Sequence, residues 1–276
     1  MTRPSLGLAL SGGGIRGLVH IGVLKSLERA GIPISCISGT SMGGIIAAAY
    51  ACGIPLAQIE EKALCLASRR QVIRLLDVTG PRRGFLSAHR IRDFLTDFFL
   101  DRTFETLKMP LAIPAVDLNQ GREVVFTEGL LFPVVMATMA VPGLFPPVKI
   151  GPYRLVDGGV LNNLPIDLVQ GLGADVTVAV NAQFDPIEPV TWTGSGGPHF
   201  PIPVPEFFQD LYQAELIMIS KLTQTHLAKN PPDLLLHPPI PSGISMFLGF
   251  TRAAEVIAAG ERCAEQALPM IEELLA

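Results

Sequence analysis

Residues 6–10 form a short apolar run that ends at Ser11-Gly12-Gly13-Gly14, after which Ile15, Leu18, Val19, Gly22, Val23 and Leu27 recur at the spacing of one helix face. The pattern predicts a strand, a glycine turn and a helix closed by Gly31. It then repeats, with an apolar strand at residues 34–37 and a helix of small residues at 42–51. Further strands are predicted at 111–118, 123–127, 153–156, 175–181 and 233–236, and further helices at 87–100, 165–172, 206–229 and 251–275. Strands alternating with helices predict an α/β fold, a sheet with both faces covered. Between residues 184 and 205 the periodicity stops. Pro186, Pro189, a Thr193-Gly194-Ser195-Gly196-Gly197-Pro198 run and Pro201, Pro203 and Pro205 predict a long irregular loop there, either a lid or simply mobile. The chain is read as one domain over residues 1–276, with a motif-bearing core at 6–181, this loop, and a helical part at 206–276.

Composition narrows the classes. The 276 residues carry 21 Lys and Arg against 25 Asp and Glu, a net charge of −4, which argues against a nucleic-acid partner. Hydrophobic residues make up 49% and charged residues 17%, so the chain can bury a sizeable core. Residues 30–59 contain no charge and no histidine, long enough to span a bilayer by count alone. Pro33, the Ser38-Gly39-Thr40-Ser41 cluster, Gly43-Gly44 and Pro55 break the run into strand, turn and helix. Residues 129–148, also uncharged, hold four prolines and fail as a span for the same reason. The apolar run near Met1 is too short for a secretory leader, and Cys36, Cys52, Cys65 and Cys263 show no ligand spacing. The expectation is a cytoplasmic protein with buried thiols, no metal, no cofactor, and at most peripheral contact with a membrane.

Gly12-x-Gly14-x-x-Gly17, between a strand and a helix, fits the dinucleotide fingerprint, in which glycines let a pyrophosphate approach the helix. The acidic residue that should hold the ribose about 20 positions on is missing, since no Asp or Glu lies between Glu28 and Glu60. The same glycines can instead aim backbone N–H groups at an oxyanion. Gly39-Thr40-Ser41-Met42-Gly43 is Gly-x-Ser-x-Gly at a strand-to-helix turn, the context of a nucleophile elbow. The plainer reading is a capping serine. Such a serine needs a base. His20, His89, His199, His226 and His237 read as surface or core residues. Asp157-Gly158-Gly159, ending the strand Tyr153-Arg154-Leu155-Val156, could bring a carboxylate to Ser41, or could be an ordinary strand-end turn. Arg16 reads as a support for the glycine turn, a phosphate contact, or an exposed helix arginine.

Taken together, Gly12-Gly13-Gly14-Ile15-Arg16-Gly17, Gly39-Thr40-Ser41-Met42-Gly43 and Asp157-Gly158-Gly159 resemble the patatin-like phospholipase family. The stretch Ala137-Thr138-Met139-Ala140-Val141-Pro142-Gly143-Leu144-Phe145-Pro146-Pro147 is similar to the family's segment beside the catalytic cleft. The resemblance implies a three-layer α/β/α fold with a mostly parallel central sheet. It also implies a lipid acyl hydrolase with Ser41 as nucleophile, Asp157 as proton acceptor and an oxyanion hole among Gly12, Gly13 and Gly14. Arg16, Gly17, Gly39, Gly43, Gly158 and Gly159 would support it. The implied substrates are fatty-acyl esters of phospholipids or related lipids. An acyltransferase would use the same dyad, a nucleotide-binding regulator would use the glycine turn, and a lipid-binding protein would leave the dyad idle.

A carboxylate of ordinary pKa, about 3.9, is a weak base for a hydroxyl, so burial has to raise it. Phe207, Phe208, Leu211, Phe247, Leu248 and Phe250 are read first as core residues and second as contacts for acyl chains.

Overall fold

The computed structural model describes residues 4–66, 88–183, 206–244 and 250–276. Strand β1 (Leu6–Leu10) leads through a 3-10 turn (Gly14–Leu18) into helix α1 (Val19–Arg29), and β2 (Ile34–Gly39) leads into α2 (Met42–Ala51). Then come α3 (Leu56–Leu66), α4 (Ala88–Phe99), β3 (Leu111–Asp117), β4 (Arg122–Phe126) and α5 (Leu131–Thr138). The chain continues with β5 (Val148–Ile150), β6 (Tyr153–Asp157), α6 (Ile166–Gly171) and β7 (Val176–Val180). Helix α7 (Glu206–Lys229), β8 (Leu234–Leu236) and α8 (Ala253–Leu274) complete the described elements. The loop expected at 184–205 lies outside the described residues.

The strands form one sheet in the order β5-β6-β3-β2-β1-β7-β8, with β4 paired to the far half of β3. Pairings among β3, β2, β1, β7 and β8 are parallel, whereas β4 and β6 run against β3 and β5 runs against β6. The sheet is therefore mixed, parallel on one side and antiparallel on the other. Side chains alternate along the parallel strands: Leu6, Leu8, Leu10, Val176, Val178 and Val180 face the core beneath α1, α2 and α8, while Ala9 and Ala179 face α6. Small residues on that second face let α6 press close, and a Cβ at Gly7 would come within 2.5 Å of Ala174 Cβ. The result is three layers, helices on either side of the sheet.

Three elements escape the periodicity. Helix α5 lies within an uncharged stretch and is apolar all round, so it carries no amphipathic stripe. Its Pro133 sits in the first turn, where a missing N–H costs nothing. Helix α3 and the three-residue β5 are the other two. Of the four cysteines, all free thiols, Cys36 and Cys52 are buried as expected, but Cys65 is exposed and Cys263 is half-buried. Cys65 lies at the end of α3, away from the sheet, which is why burial fails there. No helix among the described residues is long and apolar enough to cross a membrane.

Helices α1 and α8 touch backbone to backbone. A Cβ on Gly22 would collide with the Ile257 carbonyl, and one on Gly260 with the Val19 carbonyl. Lys25 and Arg29 of α1 reinforce the contact by pairing with Glu261 of α8. In an isolated helix Gly→Ala gains about 1 kcal/mol. Here the obstacle is backbone that cannot yield, so overpacking of roughly 1–3 kcal/mol should win. Gly22→Ala is therefore expected to lower the melting temperature measured by circular dichroism, and an unchanged or higher value would contradict the close packing.

Candidate active site

The turn after β2 is built around one strained residue. Ser41 has φ 54° and ψ −122°, and among the described residues it is the one non-glycine with positive φ. Such a conformation persists only where the surroundings enforce it. The enforcement is visible: a Cβ on Gly39 would strike the Gly43 carbonyl, and one on Gly43 would strike the carbonyls of Leu10 and Ser11. The Gly-x-Ser-x-Gly spacing is thus a packing requirement of the turn against β1. The Ser41 N–H donates to Thr138 Oγ1 at 3.1 Å, and Thr138 in turn donates to the Pro114 carbonyl at 2.8 Å. The serine side chain stands at the N-terminus of α2, where negative charge is favoured.

The aspartate arrives from the other half of the sheet. Strand β6 runs against β3 and ends with Asp157 opposite Ala115, while β2 runs along β3 with Ser38 opposite Ala112. The two strand ends therefore converge over the same part of β3. The Asp157 N–H donates to the Ala140 carbonyl at 3.0 Å, so residues 138–140, at the C-terminal end of α5, hold the main chain of both Ser41 and Asp157. Gly158 lies so close to Pro114 that a Cβ would come within 2.5 Å of its carbonyl oxygen, and the Gly159 N–H donates to Asp157 Oδ1 at 2.7 Å.

Burial pushes the Asp157 carboxyl up to about 7. Hydrogen bonding from the Ser41 hydroxyl and the Gly159 N–H pulls it back down in part, and the Glu215 carboxylate pushes it up further. Its second oxygen, Oδ2, is fully buried and has no hydrogen-bond partner of good geometry in the resting protein. The contact with Ser41 is therefore close enough to be felt electrostatically yet loose, as catalytic hydrogen bonds without substrate often are.

The structure revises the glycine turn in one respect. The Gly12 N–H donates to the Asn163 carbonyl at 3.0 Å, so it is not available to an oxyanion. Among the described residues the N–H groups of Gly13 and Gly14 have no partner, and Gly14 at φ 55° needs the freedom of glycine. Gly17 packs the turn against Met42, where a Cβ would meet Met42 Cβ at 2.8 Å. Arg16 is not an exposed helix arginine. It is buried and donates to the carbonyls of Ala182 (3.0 Å), Gln183 (3.2 Å) and Ile244 (3.2 Å), tying the glycine turn to the end of β7.

His20 is fully buried, its Nε2 2.8 Å from the Ser11 carbonyl, and burial holds its pKa down at about 4. It is a neutral core histidine. His226 is half-buried and His237 exposed, while the side chains of His89 and His199 lie outside the described residues.

Two residues that the sequence did not single out belong to this site. Helix α7 lies against the 3-10 turn Gly158–Val160 that follows Asp157. One turn apart on it, Tyr212 and Glu215 face the aspartate. Burial raises the Tyr212 phenol well above its usual range, with Glu215 and Asp157 adding to the effect. Burial likewise raises Glu215 to about 7. Their i, i+3 spacing was legible, but nothing local says that this helix covers Asp157. Phe207 and Leu211, read first as core, are 72% and 62% exposed on the outer face of α7. The side chains of Phe208, Phe247, Leu248 and Phe250 lie outside the described residues. No cluster of three or more His, Cys, Asp or Glu able to hold a metal ion occurs among the described residues.

The raised Asp157 carboxyl makes a sign prediction about stability. Between about pH 4, where it ionises in the unfolded chain, and about pH 7, the folded state holds the extra proton. Wild-type stability from this group is therefore lost as pH rises through that window. Asp157→Asn removes the effect, so its melting temperature relative to wild type should climb from pH 4 to pH 7 and then level off. A difference independent of pH would contradict the burial of the carboxylate.

The family model described as patatin-like phospholipase matches residues 8–169. A lysophospholipase named nte1 from Aspergillus fumigatus is 32% identical over 250 residues, covering 86% of this chain and 16% of the relative. An uncharacterized NTE family protein of Mycobacterium bovis is 36% identical over 180 residues, covering 64% of this chain and 49% of the relative. The chain thus spans less than half of the length of these curated relatives. Among solved structures, VipD from Legionella pneumophila superposes with a TM-score of 0.50 at 12% identity, covering 97% of this chain and 67% of VipD, a likeness of fold alone. With a family model matched over more than half of its length and its three motifs meeting in one place, the chain belongs to the patatin-like phospholipase family.

Proposed function

We propose that this protein is a serine acyl hydrolase that cleaves fatty-acyl ester bonds of phospholipids or lysophospholipids through a Ser41–Asp157 dyad. The observation that carries the reading is the meeting of a strained, buried serine turn with a buried carboxyl raised to about 7 whose Oδ2 has no other partner. A base that titrates near neutrality is matched to taking a proton at physiological pH. The fungal relative's name supports lysophospholipid as one substrate class.

In the proposed mechanism Ser41 Oγ attacks the acyl carbonyl carbon as its proton passes to the Asp157 carboxylate. The carbonyl oxygen becomes an oxyanion and accepts from the N–H groups of Gly13 and Gly14. Collapse breaks the ester C–O bond, and the departing alcohol takes the proton from Asp157, leaving an acyl-serine. Water then attacks the acyl carbon, Asp157 takes its proton, and the fatty acid leaves as Ser41 recovers the hydrogen. Each oxyanion donor is worth about 2.7–4 kcal/mol in a studied case, which is the scale expected of Gly13 and Gly14. The α2 N-terminus adds to the same field. No cofactor enters any step.

The outer face of α7 suggests how lipid is approached. Phe207, Leu211, Met218 and Leu222 are exposed, and their 4, 7, 4 spacing puts them on one stripe, while Tyr212, Ser220 and Thr223 are buried on the opposite side. The helix thus exposes apolar residues and buries polar ones, and its inner side borders the Asp157 turn. We assign this stripe to reversible, peripheral contact with a lipid surface, on the helix whose inner side covers the Asp157 turn.

Two measurements test the proposal. A fluorophosphonate probe should label Ser41, and Ser41→Ala and Asp157→Asn should each lower ester turnover by at least about a thousandfold. Labelling at another residue, or turnover retained in either variant, removes the dyad. The double variant Phe207→Glu/Leu211→Glu should lose most of its activity on phospholipid vesicles and far less on a soluble short-chain ester. Equal loss on both would remove the lipid-surface role of α7.

A further inference from the structure

The segment just past the aspartate turn carries a set of contacts that the three motifs do not explain. The Thr40 hydroxyl donates to the Asn162 carbonyl at 2.8 Å, the Gly12 N–H to the Asn163 carbonyl at 3.0 Å, and the Ser38 hydroxyl to the Pro165 carbonyl at 2.7 Å. Three acceptors within four residues thus clasp the serine strand and the glycine turn to the segment that follows Asp157. The two asparagine side chains then diverge. Asn162 Nδ2 turns away, donating to Glu123 Oε1 at 3.0 Å and Asp167 Oδ1 at 2.9 Å.

Asn163 turns inward and is only 6% exposed. Its carboxamide oxygen fills the space that a Cβ on Gly12 would need, and lies 2.8 Å from where one on Gly159 would sit. Those same two positions border the reacting groups: a Cβ on Gly12 would be 3.2 Å from Ser41 Cβ, and one on Gly159 would be 3.0 Å from Asp157 Oδ1. One buried carboxamide therefore stands as a wedge between the glycine turn on the serine side and the aspartate turn.

We infer that Asn163 is a positioning residue for the reaction, its carboxamide fixing the spacing between the Gly12–Gly14 turn and the Asp157 turn. With that spacing held, the Gly13 and Gly14 N–H groups face the oxygen of an acyl group on Ser41 while Asp157 stays against the serine hydroxyl. The inference rests on the serine hydrolase reading above. The main-chain bond from Gly12 survives substitution, so the contribution of the side chain can be read separately. Truncation leaves a void against both turns, and a misplacement of about 1 Å can cost roughly a hundredfold in rate.

The near-isosteric Asn163→Asp probes the same contact differently, because it sets a new carboxylate beside Asp157. The other groups facing Asp157 are the Ser41 hydroxyl from the elbow, the Gly159 N–H from its own turn, and Glu215 and Tyr212 from α7. An added like charge disfavours ionisation, so Asp157 should titrate at higher pH.

The experiment measures kcat and KM on a soluble short-chain ester against pH for wild type, Asn163→Ala and Asn163→Asp, with Ser41→Ala as blank and the Asp157 carboxyl followed by carbon-13 NMR. The expected result is that Asn163→Ala lowers kcat by about ten- to a hundredfold with KM within about twofold. Asn163→Asp should move both the acid limb of kcat/KM and the Asp157 titration upward by about one pH unit. Should the alanine variant fail to fold, the aspartate variant decides alone. Turnover absent in Ser41→Ala, with kcat undiminished in Asn163→Ala or the Asp157 titration unmoved in Asn163→Asp, overturns this inference only. Turnover surviving in Ser41→Ala overturns the hydrolase reading and this inference together.

Discussion

Asp157 loses its water at the end of β6, and much of the proposed chemistry follows from that single desolvation. In water its carboxylate would be too weak a base for a serine hydroxyl. Buried beneath α7, with one oxygen held by the Gly159 N–H and the other facing the serine side, it titrates near neutrality. Histidine, whose unperturbed pKa already lies in that range, is the usual partner of a serine nucleophile, and the dyad proposed here does without it. Here the fold supplies the basicity, and it does so by placing a charge where the dielectric is low rather than by changing the residue.

The mixed sheet is what allows the carboxylate and the hydroxyl to meet. Strand β2 pairs with the start of β3, at Leu111 and Ala112, and β6, running against β3 from Asp117 to Ala115, brings Asp157 back toward the end of β2. Residues 138–140 then serve as a shared brace, because Thr138 holds the Ser41 N–H and Ala140 holds the Asp157 N–H. Strain at Ser41 and desolvation at Asp157 are both costs to stability. They are offset by the packing of β1, β2 and β7 beneath α1, α2 and α8, where the larger apolar side chains collect.

The parallel half of the fold was legible because its strands are short apolar runs, β1 and β2 leading into glycine-rich turns, and α2 begins and ends where the small residues do. The serine and aspartate motifs were legible for a related reason: a positive-φ serine and a strand end pressed on Pro114 can tolerate few residue types. What the chain hides are contacts made by backbone atoms. The acceptors of Arg16 are carbonyls at 182, 183 and 244, and the acceptor of the Gly12 N–H is the Asn163 carbonyl; a carbonyl has no sequence signature. Helix α5 is hidden by being apolar on every side, and Tyr212 and Glu215 by the fact that only tertiary packing turns them toward Asp157.

The proposed chemistry places one oxygen atom of Ser41 between a base and two N–H donors. It is tested most directly by the crystal structure of the protein after reaction with an alkyl phosphonate that mimics the tetrahedral intermediate. The expected structure has phosphorus bonded to Ser41 Oγ, its anionic oxygen accepting from the Gly13 and Gly14 N–H groups at about 2.7–3.1 Å, and Asp157 against the serine oxygen. A phosphonyl oxygen pointing away from both glycines, with Asp157 withdrawn from Ser41, would contradict it.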